Sequence, residues 1–184
     1  MFTAQQDYII KNSHVPVLAN QQNGRFEFKD CYFLEFIVKQ DNETMKKINT
    51  ICMPFDFNTG IQYKISKQRS VYDNFVYRLF LLAGSDIIKN EFKDQDDFLA
   101  ITLCNDDEQK TTIQYFEVNH NFRHSYEPKQ KYRNVGTSAL NALKEIYQSN
   151  ELFGQSASHA IDFWLKNGFT RIKTHDLYIH WCQR

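Results

Sequence analysis

Residues that usually mark flexible connections are scarce in this chain, whose 184 residues include only 6 glycines and 3 prolines. No Gly-, Ser- or Pro-rich linker or internal repeat is present, so nothing marks a domain boundary. The longest strongly apolar run, residues 79–83, is far shorter than the ~20 residues of a membrane-spanning helix. The N-terminus has no basic segment followed by a long apolar one. We therefore expect one cytoplasmic domain over residues 1–184.

An excess of charge is also lacking, because 22 Lys and Arg residues balance 22 Asp and Glu residues. A neutral chain has no global field to hold a nucleic acid or an anionic membrane. We expect neither as a partner, and an anionic ligand must be held by a local group of donors.

Cysteines are few and widely spaced, at Cys31, Cys52, Cys104 and Cys182, with no C-x-x-C pair. Without a secretion signal, this spacing favours buried free thiols over disulfides or a zinc site. The i, i+4 histidines His120 and His124 have no third ligand nearby, so we expect no metal.

What is present is a mixture of helical and strand-like patterns, which predicts an α/β (α+β) fold with a mixed central sheet flanked by helices. Four segments read as strands: 26–38 with a break near residue 30, 61–65, and 98–104 with 111–118 as an antiparallel hairpin. Three segments read as helices: 41–52, 70–83 before Gly84, and 135–147. Residues 119–132 read as a loop, and the C-terminal region as a short strand near 151–154, a helix ending at Gly168 and one or two closing strands.

The turn before the 135–147 helix, "RNVGTS" at 133–138, has the composition of an anion site. A helix N-terminus presents unpaired backbone N–H groups at the positive end of the helix dipole, which suits a phosphate or pyrophosphate. Small residues allow close approach, and Lys129, Lys131 and Arg133 add positive charge. The alternative is that Gly136 only relaxes a loop-to-helix turn.

A second pattern lies downstream, in the segment "AIDFWLKNGF" at 160–169. Together with "RNVGTS", it resembles the GNAT acetyltransferase superfamily, in which a pyrophosphate loop [RQ]-x-x-G-x-[GA] precedes a pattern like A-x-x-F-Y-x-x-x-G-F. The resemblance is clear over 133–169, plausible from about residue 70, and loose over 1–70. It implies a single-domain GNAT-like acyltransferase fold in which a V-shaped opening between two central strands receives acetyl-CoA.

By this resemblance, the CoA pyrophosphate would be held by Arg133, Val135, Gly136, Thr137 and Ser138. Ser138 stands where the family has Gly or Ala, and the connection between residues 118 and 133 is about ten residues longer than usual. Trp164 replaces the tyrosine that often protonates the departing thiolate, and an indole N–H is no acid.

A base that deprotonates the attacking amine is expected as well. Glu117, on the strand before the turn, is the first candidate, and His120 and His124 are alternates. The family often builds one wall of the acceptor site from the helix before the hairpin, where this chain has Tyr72, Phe75, Tyr77 and Phe80.

The sequence thus predicts an N-acetyltransferase that moves acetyl from acetyl-CoA to a primary amine of a small molecule or peptide. One alternative is a non-catalytic protein on the same fold that binds acyl-CoA or a protein partner. Another is an unrelated α+β interaction protein. The sequence leaves open whether the chain forms a homodimer.

Overall fold

The structure is a computed structural model that describes residues 8–21, 24–36, 42–67, 76–84, 97–106, 110–123, 131–172 and 175–182. Within these ranges the strands are β1 (Tyr8–Asn20), β2 (Phe26–Phe36), β3 (Val76–Ala83), β4 (Phe98–Asp106), β5 (Lys110–Val118), β6 (Tyr132–Arg133), β7 (Glu151–Gln155), β8 (Thr170–Ile172) and β9 (His175–Trp181). The helices are α1 (Asn42–Cys52), α2 (Asn58–Lys67), α3 (Val135–Ile146) and α4 (Ile161–Lys166).

These strands form one mixed sheet in the order β6–β1–β2–β3–β4–β5–β7–β9–β8. Among the described strands, β5 and β7 pair in parallel and every other neighbouring pair is antiparallel. The fold class predicted from the sequence is confirmed.

Each side of the sheet carries its own buried cluster. On one side, here called the α1–α2 face, Leu79 and Leu81 of β3 pack with Ile48 of α1 and Ile61 of α2. On the other, the α3 face, Phe80 and Leu82 of β3 pack with residues of α3, among them Leu140 and Leu143. The central strands are therefore apolar on both sides, as expected for strands covered by two layers of helices.

This double burial explains why the predicted 70–83 helix is wrong where the structure describes it. Residues 76–83 form β3, whose residues 79–83 are all fully buried. A strand buried on both faces has a continuous apolar run, and such a run also matches a helical pattern. Tyr77 and Phe80 therefore lie on a strand, while Tyr72 and Phe75 lie outside the described residues.

The predicted strand at 61–65 is also wrong, because these residues belong to α2. Ile61 and Ile65 are buried, whereas Tyr63 between them is 57% exposed. The Ile-x-Tyr-x-Ile order fits strand alternation, but two isoleucines four apart also lie on one side of a helix. The exposure of Tyr63 distinguishes the two.

Other predicted elements are confirmed: α1, the β4–β5 hairpin, α3, β7 and the closing strands. The break expected near Asp30 is wrong, since β2 is continuous and the irregularities lie in β1, between Ile10 and Val15. β1 itself escaped prediction from the sequence. None of the described helices has the length and apolar character needed to cross a bilayer.

A charged cluster joins the middle strands to the C-terminal end of α3. Glu35 of β2 accepts hydrogen bonds from Arg78 Nε at 2.6 Å and from a terminal guanidinium nitrogen at 2.9 Å, and Lys11 Nζ lies 2.7 Å away. Asp106 accepts from Arg78 and from the Tyr147 hydroxyl, both at 3.1 Å. Burial by itself raises the pKa of Glu35, but the hydrogen bonds from Arg78 and Lys11 outweigh it and lower that pKa below its ordinary 4.5.

This lowered pKa makes stability depend on pH. Glu35 becomes protonated near pH 4.5 in the unfolded chain, but only at lower pH in the folded chain. Its hydrogen bonds with Arg78 and Lys11 therefore stabilise the fold above pH 4.5, and this stabilisation is lost as the pH falls through the folded pKa. We expect Glu35→Gln to reduce the difference between unfolding free energies measured by urea titration near neutral pH and in acid. An unchanged difference would contradict this assignment.

Candidate functional site at the divergence of two parallel strands

The parallel strands β5 and β7 are paired over four positions only, from Lys110 with Glu151 to Ile113 with Gly154. At that point β5 has a bulge, because Ile113 pairs with Cys104 of β4 and Tyr115 with Leu103, which leaves Gln114 as an extra residue. β5 then continues beside β4, whereas the N–H of Ser156 bonds to Leu177 of β9 at 2.8 Å. The two strands therefore separate and leave a V-shaped opening in the sheet.

An open groove of about 690 Å³ occupies this divergence. This volume lies within the range of about 300–1,000 Å³ that is typical of small-molecule sites. The groove is lined by Thr112, Ile113 and Gln114 of β5, by Phe153, Gly154, Gln155, Ser156 and Ala157 at the end of β7, and by Leu177 and Tyr178 of β9.

Much of this groove lies on the α1–α2 face. Ile113 and Leu152 belong to the buried cluster on the α3 face, so their neighbours Thr112 and Phe153 point to the opposite side. Tyr115, beyond the bulge, packs on the same side against Phe57 of the α1–α2 connection, with ring centroids 5.4 Å apart. An aromatic wall thus continues from the groove towards α2.

On the α3 face, α3 begins beside the end of β5. Asn134 precedes it with a left-handed backbone (φ 56°, ψ 19°), and the N–H of Ser138 bonds to Asn134 O at 3.0 Å. The N–H groups of Val135, Gly136 and Thr137 therefore belong to the first turn, which no intrahelical acceptor satisfies. Ser138 adds no donor to them, because its hydroxyl is also committed, to Pro16 O of β1 at 2.6 Å.

Two of the positive side chains expected around this turn, those of Lys131 and Arg133, contact other parts of the protein. Lys131 Nζ pairs with the buried carboxylate of Asp97 at 2.6 Å. The guanidinium of Arg133 lies 3.8 Å from the ring centroid of Phe26, and its Nε is buried with no hydrogen bond to the described residues. Lys129 lies outside the described residues. An anion at this turn would thus be held chiefly by backbone N–H groups.

Gly136 allows the start of α3 to pack closely against its neighbours. A Cβ atom there would lie 3.1 Å from Val118 Cγ2 and from Phe163 Cε2. Phe163 stacks in turn on Phe116 of β5, with centroids 5.7 Å apart. A row of contacts therefore leads from Gly136 through Phe163 and Phe116 to the bulge of β5.

The Trp164 side chain is buried among aromatic rings. It is 6% exposed, and its ring centroid lies 5.3 Å from Phe116 and 5.0 Å from Phe169. The position that carries tyrosine in the GNAT pattern is thus filled by a buried indole.

Glu117 is held by the protein itself. It is 5% exposed and accepts hydrogen bonds from the N–H groups of Asp56 at 2.8 Å and Phe57 at 2.9 Å, one on each oxygen. Arg123 also contacts it, and donates to Asp56 at 2.7 Å. This carboxylate therefore links the α1–α2 connection to β5. Its role as a base stays a prediction, and the hydrogen bonds that already occupy both of its oxygens disfavour that role.

His120 and the three buried cysteines lie outside the groove lining, whereas the His180 ring stacks on Phe153 of that lining. The distance from His120 Nδ1 to Pro54 O is 3.3 Å, and His124 lies outside the described residues. Burial raises the pKa of the Cys31 and Cys52 thiols to about 12 and that of Cys104 well above its usual value, so these thiols are poor nucleophiles. Within the described ranges, no cluster of three His, Cys, Asp or Glu side chains is arranged to hold a metal.

Comparison with known proteins rests on structure, because the sequence matches neither a known protein family nor a curated protein. The crystal structure of Tetrahymena GCN5 is similar to this chain, with a TM-score of 0.53 and 14% sequence identity, over 84% of this chain and 95% of that one. The chain has a GNAT-like fold. The resemblance inferred from "RNVGTS" and "AIDFWLKNGF" is thereby confirmed for the fold.

Within this GNAT-like fold, some predicted site residues come together and others do not. Val135, Gly136 and Thr137 lie at the helix start beside β5, as expected, whereas Ser138 and Glu117 are bound within the protein. The groove residues Gln114, Phe153, Gln155 and Tyr178 were not singled out from the sequence. The small and polar residues "GQSAS" at 154–158, directly after a short strand, are a sequence pattern that is typical of a strand end next to a groove.

The Glu117 network supports a testable expectation about stability. In Glu117→Gln, one acceptor oxygen becomes an amide NH₂, which leaves a backbone N–H of the α1–α2 connection without its partner. We expect a loss of about 1–3 kcal/mol in unfolding free energy by urea titration. Glu43→Gln, at a highly exposed position of α1, is the control and should change it by less than about 0.5 kcal/mol. Equal small effects would contradict the network.

Proposed function

We propose that this chain binds acetyl-CoA at the start of α3 and transfers its acetyl group to a primary amine in the groove. The observation that carries the proposal is the separation of β5 from β7 after Ile113 and Gly154, next to the open first turn of α3. A GNAT-like fold supports it, because the opening coincides with the V-shaped site implied by the resemblance.

The two ends of this site have different chemistry. At α3, the N–H groups of Val135, Gly136 and Thr137 converge at the positive end of a 12-residue helix, which suits a pyrophosphate. From there the aromatic row of Phe163 and Phe116 leads to the bulge, and offers apolar surface to the arm of the cofactor. The groove itself opens mainly on the other face of the sheet, so an acceptor can approach without crossing the cofactor.

Transfer then proceeds by direct attack of a neutral amine on the thioester carbon. The groove lining contains hydroxyls and amides but no carboxylate or imidazole among the described residues, so the amine proton would leave to water. Proximity of the two reactants supplies the rate enhancement in such a site.

The non-catalytic alternative is supported by the surroundings of Glu117 and Trp164. Glu117 is bound by two backbone N–H groups and Trp164 is buried, so neither of these two side chains is positioned as an acid or a base at the groove. A protein that binds acyl-CoA without transferring the acyl group would have this arrangement. Product analysis with acetyl-CoA and an amine panel separates the two: acetylated amine supports transfer, and tight binding without product supports the alternative.

The cofactor site can be tested without disturbing the fold. Thr137 is exposed in the first turn of α3, where an aspartate benefits from the helix dipole but repels a bound phosphate. We expect Thr137→Asp to weaken CoA affinity at least tenfold by isothermal titration calorimetry, with a melting temperature equal to or above the parent.

Asn141→Asp is the matched control, since it adds the same charge at an exposed position one turn further along α3. It should leave CoA affinity within about twofold. Gly136→Val is a poorer test, because its side chain would also crowd Val118 and Phe163. CoA binding of parent strength in Thr137→Asp would rule out the turn as the pyrophosphate site.

A further inference from the structure

The groove lining, taken over both faces of the sheet, has a distinctive composition. Its polar side chains, Thr112, Gln114, Gln155, Ser156 and Tyr178, are all uncharged, and the remaining described lining residues are apolar or glycine. A polar but neutral lining can orient a ligand by hydrogen bonds, yet cannot replace the hydration of several charges.

Aromatic and aliphatic groups form the walls. Phe153 is fixed by His180, whose ring stacks on it with centroids 4.7 Å apart. Tyr178 of β9 is 42% exposed and presents its ring on the α1–α2 face, whereas its neighbour Leu177, 38% exposed, lines the groove from the opposite face of the sheet. Beyond the bulge, Tyr115 and the half-exposed Phe57 continue the wall.

Charges of both signs lie beside the groove wall, because Glu151 pairs in register with Lys110 and its carboxylate lies 3.7 Å from His180 Nε2. Lys110 Nζ lies 5.4 Å from the centroid of Phe153, on the strand that also carries Thr112 and Gln114. Because Lys110 and Glu151 carry opposite charges, discrimination against multiply charged acceptors rests on the neutral lining of the groove.

We infer that the groove accepts a primary amine carried on an aromatic scaffold, and that it discriminates against polyamines and other multiply charged amines. The inference rests on the proposed acetyl transfer and specifies its acceptor. The size of the groove fits such a ligand, since one ring and a short aminoalkyl chain occupy only part of about 690 Å³.

The same lining bears on how the amine becomes reactive. An ammonium group with a pKa near 10 in water loses hydration on entering a neutral, partly apolar groove, and this lowers its pKa and increases the fraction of neutral amine. The amine nitrogen then bonds to the acyl carbon, and the C–S bond of the thioester breaks. The thiolate leaves with that electron pair, and the proton lost by nitrogen reaches it through solvent.

A matched pair of ligands tests the inference without relying on turnover. 2-Phenylethylamine and ethylamine carry the same amine, and differ by the ring. We expect 2-phenylethylamine to bind the complex of the full chain with CoA, which cannot react, at least tenfold more tightly by calorimetry. Its acetylation, followed by chromatography with acetyl-CoA, should likewise exceed that of ethylamine and of spermidine at least tenfold in kcat/KM.

Two variants test whether the preference for 2-phenylethylamine arises in this groove. Tyr178→Ala should reduce the preference for 2-phenylethylamine over ethylamine at least threefold, and Gln155→Glu should shift the preference towards spermidine. Gln148→Glu, which adds the same charge at an exposed position after α3 and outside the groove, should leave the preference unchanged.

The outcomes distinguish a failure of this inference from a failure of the proposed acetyl transfer on which it rests. Absence of CoA binding would remove both. CoA binding with equal affinity for the two amines, or with spermidine as the better acceptor, would overturn the aromatic acceptor and leave acetyl transfer standing. Preference for 2-phenylethylamine that persists in Tyr178→Ala and Gln155→Glu would place the amine outside this groove and overturn the assignment.

Discussion

The short parallel pairing of β5 with β7 is the constraint on which the site depends. Four registered pairs hold the two halves of the sheet together, and the bulge at Gln114 then directs β5 along β4 while β7 continues beside β9. A bulge adds one residue and increases local twist, so neighbouring strands that follow different partners must separate. The opening follows from the hydrogen-bond pattern of the sheet itself, and no flexible loop is needed to create it.

The end of β5 is held from both sides. On the α1–α2 face, Glu117 and Arg123 fix the connection that carries Phe57, and so position the aromatic wall beside Tyr115. On the α3 face, Gly136 lets the start of α3 approach Val118 and Phe163 closely. Strand, helix start and aromatic wall therefore form one unit, in which the Glu117 carboxylate accepts hydrogen bonds from the α1–α2 connection.

The distribution of charge gives this site its character. The Glu35–Arg78–Asp106 cluster and the Lys131–Asp97 pair hold charges that are paired within the protein, and both lie away from the groove lining. The α3 turn offers backbone dipoles to an anion, and the groove offers neutral polar groups and rings. A site of this kind distinguishes ligands by desolvation more than by ion pairing.

Local sequence patterns determined α1, the β4–β5 hairpin, the turn at 133–138 and α3, because periodicity and helix-start chemistry depend on residues a few positions apart. The motif pair "RNVGTS" and "AIDFWLKNGF" was sufficient to indicate the GNAT-like fold for the same reason. Tertiary structure alone decided that 76–83 is a strand, since burial on both faces removes the alternation that would reveal it. It also decided the surroundings of Glu117, whose backbone hydrogen-bond donors lie 60 and 61 residues away, and the groove, whose lining comes from three strands that meet only in the folded sheet.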